Sequence, residues 1–184
     1  MARANTAVFL VDLPTADSDR NLLDRGSSLA EFIGHPSVAR LGWPAEVVEG
    51  WLFDHGAHEA FRIDYRDLDL SAIIWTLEEV PTASLQGIRT GPSEQEFLES
   101  VAKHHIHYLG LRPAPIRDGW ELKGTWLTAP LLLDSKVLNI DKVGLRLVEG
   151  RMRVGILQGR LQSGFHVAPT HKAWVGRGRV GGSK

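Results

Sequence analysis

The sequence has no cysteine. That absence excludes thiol nucleophiles, CxxC redox chemistry, iron–sulfur ligation and cysteine-based zinc sites, and it leaves the fold without disulfide staples. No apolar run approaches the roughly 18–20 residues of a membrane span. The short apolar patch Ala7–Leu10 is interrupted by Asp12, so it does not read as a signal peptide; a cytoplasmic protein with no membrane partner is expected. Internal repeats are lacking too. Charge of one sign is not in excess, since 21 Lys+Arg against 22 Asp+Glu leave a formal charge of −1. What is present is ordinary for a globular protein: 184 residues, 43% hydrophobic and 23% charged, enough for one domain with a sizeable core.

The near-neutrality is a cancellation. Residues 1–110 carry 17 acids and 8 bases, a net of −9, whereas residues 111–184 carry 5 acids and 13 bases, a net of +8. A basic segment suits phosphate, in a nucleotide or in nucleic acid. It can equally be neutralised by the acidic part of its own chain.

Hydrophobic spacing divides the chain into a helical beginning and a mixed remainder. Ala7–Leu13 reads as a short strand, and Pro14–Arg25 as a loop. Ser27 or Ser28 is placed to cap a helix carrying Phe32 and Ile33, with Glu31 at capping-box distance from Ser28. Pro44 starts a helix over Ala45–His55, on which Val47, Val48, Trp51 and Leu52 recur at helical spacing. Alternation of Ile73, Trp75 and Leu77 predicts a strand over Ser71–Val80, ending at Pro81. Ser93 and Glu96 have capping-box spacing at the head of a helix reaching Leu109. WELKGTWL and APLLLD read as strands, as do Leu145–Val148, Phe165–Val167 and Ala173–Val175, while Arg151–Gly159 reads as a helix. The fold class expected is therefore α+β. Residues 1–66 would form a helical N-terminal layer, 67–176 a domain with a small mixed sheet, and 177–184 a flexible basic tail.

The most informative stretch is Gly144–Gly159, GLRLVEGRMRVGILQG, where a strand passes through an acid-glycine turn into a helix. Glycine lets the backbone approach a ligand, and the amides of the new helix face whatever sits there. The helix terminus adds about half a positive charge to those of Arg151 and Arg153. Gly150, Arg151, Met152 and Arg153 are thus candidate phosphate binders. Glu149, at the strand's end, is a candidate metal ligand or base.

Glu149-Gly150-Arg151-Met152-Arg153 resembles the acid-Gly-x-x-Arg turn of the ParB/sulfiredoxin superfamily. The order upstream is similar as well. Ser71–Pro81 stands for the family's first strand, Thr82–Leu85 for its turn, Ser93–Leu109 for its helix, and Ala129–Leu132 for its proline-then-strand element. The resemblance spans residues 71–168. It departs at Ile156, where partition proteins usually have Ala, and it lacks their second phosphate box. With no helix-turn-helix in these residues a DNA-partition clamp is not expected. With Arg151 and Met152 where a cysteine would be required, sulfiredoxin chemistry is excluded.

The resemblance implies a nucleotide pocket for ATP, ADP or CTP with Mg²⁺, serving a phosphotransferase or hydrolase. Glu79, with Glu78 beside it, would supply a second carboxylate, His171 an acid–base group, and Trp126 an aromatic wall for the base. A nucleic-acid-acting protein, such as a nicking nuclease, is the alternative from the basic part of the chain. A regulatory or protein-interaction module without catalysis is the third.

Other polar groupings have plainer readings. His104 and His107 share a helix face and could bind a metal, but histidines at a helix end also favour its dipole. Asp64, Asp67 and Asp69 lack the glycine and distal glutamate of a calcium loop. Asp54, His55, His58 and Glu59 offer acid–base pairs with no nucleophile beside them.

Overall fold

The computed structural model describes residues 7–14, 25–140 and 143–179. Four strands form one mixed sheet: β1 (Ile73–Pro81), β2 (Leu131–Asp134), β3 (Leu145–Glu149) and β4 (Thr170–Gly178), in the spatial order β1-β4-β2-β3. β1 runs antiparallel to β4, β4 parallel to β2, and β2 antiparallel to β3. The α+β class follows directly, with helices packed on both faces.

Alternation along the strands separates two apolar cores. One face takes Ile73 and Trp75 from β1, Leu131 and Leu133 from β2, and Val148 from β3. Against it pack α1 (Arg25–Gly34), α2 (Pro36–Ala39), α3 (Ala45–Val47) and α4 (Glu59–Tyr65). Trp51 is the hub of this core, stacked on Trp43 at 5.3 Å and edge-on to Trp75, Phe61 and Tyr65. After α3 the chain continues as a π-helical turn, Val48–Phe53, which buries Val48, Trp51 and Leu52.

The other face takes Val80, Leu132, Leu147, Ala173 and Val175. Over it lie α6 (Gln95–Lys103), α7 (His105–Gly110), α8 (Ala114–Lys123) and α9 (Arg151–Gln162), the short α5 (Thr82–Leu85) following β1. α9 reaches α6 at two glycines. A Cβ on Gly155 would come within 2.6 Å of Val101, and one on Gly159 would overlap the Ala102 carbonyl oxygen.

Several expectations are corrected. Leu10–Asp12 is a 3₁₀ turn, not a strand: Val8 and Leu10 are buried against the helical layer, and the Leu70 amide bonds to the Val8 carbonyl. WELKGTWL is no strand: its first half, Trp120–Lys123, is the end of helix α8, which has Pro115 in its first turn and Gly124, at φ +65°, at its end. The helix predicted over Ser93–Leu109 breaks at His104, and Ser93 donates its hydroxyl to Asp64 at 2.5 Å instead of capping. Ser28 lies within α1. Phe165–Val167 is not a strand, and β4 carries Arg177 out of the expected tail. Most of the loop expected before Arg25 and residues 180–184 lie outside the described residues.

Candidate functional site

The helical layer covers only part of its sheet face. Ile73 and Trp75 are roofed, but Leu77 and Glu79, further along the same side of β1, lie open. They floor a cleft of about 750 Å³ together with Lys172 and Trp174 of β4 and Leu131 of β2. In register Glu79 faces Lys172 and Leu77 faces Trp174. One wall is the α3–π-helical segment with Glu46, Glu49, Gly50 and Asp54; the other is the loop Thr125–Ala129, which follows Gly124. Glu149 and Arg153 close the end.

This end is built by Gly150. Its φ of +104° is left-handed, and a Cβ there would come within 2.5 Å of Pro130 Cβ. The turn swings the chain from β3 into α9 so that Arg153 Nη2 donates to the Glu149 carboxylate four residues back. Burial pushes Glu149 above the ordinary carboxylate range, against the opposing pull of the Arg153 and Arg151 charges. The π-helical wall stands beside this carboxylate: a Cβ at Gly50 would lie in ordinary contact with Glu149 Oε2, at 3.9 Å.

Of the residues singled out in the sequence, Glu149, Arg153, Glu79, His171 and Trp126 all line this cleft. Arg151 does not. Its Nε donates to Glu94 at 3.0 Å and its Nη1 to the Val148 carbonyl at 2.9 Å, leaving it 8% exposed. The phosphate-binding expectation for Arg151 therefore finds no geometric support, because helix positions two apart, such as Arg151 and Arg153, point about 200° apart. Met152 packs against the apolar core of the other face.

His171 is 1% exposed; its Nδ1 shares a 2.7 Å hydrogen bond with the Thr125 hydroxyl, and its ring lies 4.6 Å from Trp126. Burial lowers its pKa to about 4, so it is neutral at physiological pH and fits a positioning role for the Thr125–Trp126 wall. Trp126 donates its Nε1 proton to the Lys172 carbonyl at 2.7 Å and is 6% exposed, which leaves little ring surface for stacking. Trp174 on the floor is only partly buried and offers more.

Sequence reasoning missed the acidic wall. Glu46, Glu49 and Asp54 stand on the outer side of a helix whose apolar residues gave no hint of what faces them. The cleft thus holds five carboxylates (Glu46, Glu49, Asp54, Glu79, Glu149) against two cations, Arg153 and Lys172.

The other polar groupings are structural. Asp69, despite burial, is held below its ordinary value by hydrogen bonds from Ser71 and Val8. His55 is lowered by burial and by the Arg151 charge. His104 and His105 bond the Ser100 and Ala102 carbonyls, and among the described residues no three His, Asp or Glu side chains form a metal-holding group. Four arginines of the basic half pair internally: Arg151 with Glu94, Arg153 with Glu149, Arg160 with Glu121 and Arg177 with Glu78. Among the described residues no helix is long and apolar enough to cross a membrane. No protein-family model, curated protein or solved structure matches the chain.

Proposed function

We propose that the cleft binds a nucleoside phosphate as its Mg²⁺ complex, with ATP, ADP and CTP the first ligands to test. The observation that carries this reading is the Gly150 turn, which brings Arg153 and Glu149 together at one end of a cleft large enough for a nucleotide. The resemblance of this turn to nucleotide-handling ParB/sulfiredoxin-like proteins points the same way.

The excess of carboxylates decides the form of the ligand. A bare triphosphate entering a cleft of five acids and two bases meets net repulsion, whereas a magnesium complex brings its own positive charge. Mg²⁺ is commonly held by one or two carboxylates plus phosphate oxygens, without an all-protein cage. Glu149 and Glu79 are suitable carboxylates, and the metal would offset charge on the phosphates. The base lies against Trp174 and Leu77. Phosphotransfer or hydrolysis is the chemistry such a site serves, with Arg153 holding the phosphoryl group and Glu149 either holding the metal or accepting the nucleophile's proton. A nucleic-acid role has less support, because Arg151, Arg160 and Arg177 of the basic segment are paired with carboxylates away from the cleft.

Thermal-shift titration with ATP, ADP, CTP and GTP, each with and without Mg²⁺, tests the reading. Stabilisation that requires both nucleotide and Mg²⁺ supports it. No shift with any nucleotide at millimolar concentration overturns it.

A further inference from the structure

A second cavity, of about 310 Å³, lies where α4 and the residue 89–95 loop meet the start of β3. It shares no lining residue with the nucleotide cleft. Arg89 and Arg146 both line it. Their backbones are neighbours, since the Leu147 amide donates to the Arg89 carbonyl at 2.8 Å. Neither guanidinium has a carboxylate partner among the described residues, in contrast to Arg151, Arg153, Arg160 and Arg177. Arg89 is exposed and Arg146 half-buried, so both guanidinium groups remain available to an anion entering the cavity.

Tyr65 supplies an independent observation. It is 6% exposed, it lines the same cavity, and its phenol makes no hydrogen bond among the described residues. The hydroxyl oxygen keeps access to the cavity, where it can donate to a ligand. Burial holds its pKa far above the ordinary tyrosine value, so the proton is in place at any physiological pH. Thr90, 7% exposed, adds a second hydroxyl.

We infer that this cavity is a binding site for a small monocarboxylate with a short aliphatic chain, gripped by Arg89, Arg146 and the Tyr65 hydroxyl. Charge selects the head group. Among the described residues the one carboxylate lining the cavity is Asp64, which accepts from Ser93, so two guanidinium groups face one acid there and a single positive charge is left to match. A monoanion balances it, and the planar guanidinium fork fits a carboxylate. Leu138 and Ile140 form the apolar wall that takes the chain.

The test is an NMR titration of the ¹⁵N-labelled protein with sodium butyrate, beside n-butanol, butylammonium and inorganic phosphate. Saturable shifts centred on residues 89–90 and 146–147, produced by butyrate and not by butanol or butylammonium, are expected. Arg146→Gln should weaken butyrate by about tenfold or more, and Tyr65→Phe, which keeps the ring packing, by about tenfold. Four results overturn the inference: no saturation at tens of millimolar butyrate, an equal response to butanol, tighter binding of phosphate, or undiminished binding in folded Tyr65→Phe.

Discussion

Glu149 and Arg153 form an ion pair across the turn that ends β3 and begins α9, one side chain leaving a strand and the other a helix. The pair exists because Gly150 takes a left-handed backbone between them. Gly150→Ala should therefore lose about 1–3 kcal/mol of stability from strained φ and the encounter with Pro130. Urea denaturation measures it, and an unchanged midpoint would show that the turn relaxes freely.

The two motif arginines should separate by role. Arg151 is buried on Glu94, whose side chain is 35% exposed, so its loss leaves a partly solvated acid without a partner. Arg151→Met should cost about 1–3 kcal/mol of stability and leave nucleotide affinity within a few-fold. Denaturant midpoints and ligand titration on the same variant check both halves.

His171 sets a pH dependence. Its folded pKa, about 4, lies below the ordinary 6.5, so the unfolded chain takes up a proton that the folded chain refuses. This contribution is complete above pH 6.5 and is lost as pH falls towards 4. Its size is on the order of 3 kcal/mol. Between pH 6.5 and 5 the wild type should lose stability faster than His171→Gln, as measured by urea denaturation at each pH. Parallel profiles would show that His171 is not held neutral.

The contact of α9 with α6 depends on Gly159. A methyl group there meets the Ala102 carbonyl and the His105 ring, so Gly159→Ala should destabilise by about 1–3 kcal/mol despite alanine's better helix propensity. Thermal unfolding reads the sign directly: a gain would mean that the two helices can move apart at no cost.

Much of this architecture can be read from local pattern. Ile73 and Trp75 alternate because β1 buries one face there, Leu77 carries the alternation on into the open cleft, and Pro44 precedes its helix as expected. WELKGTWL misleads because Trp120 and Leu122 mimic strand alternation, yet Trp120 is fully buried and Leu122 is 78% exposed on a helix. The Gly150 turn is visible in sequence since glycine and charge sit together. The direction of Arg151 is not, because its partner Glu94 is 57 residues away. The acidic wall is hidden for the same reason: Glu46, Glu49 and Asp54 meet Glu149 only after the helical layer docks.

The most direct test is calorimetric titration of ATP and CTP with Mg²⁺ into wild type and Arg153→Ala. One-to-one binding by the wild type, weakened by about tenfold or more in Arg153→Ala and absent without Mg²⁺, is the predicted result. Equal affinity of the two proteins, or no heat from either, would contradict the assignment of the Gly150–Arg153 turn as a phosphate site.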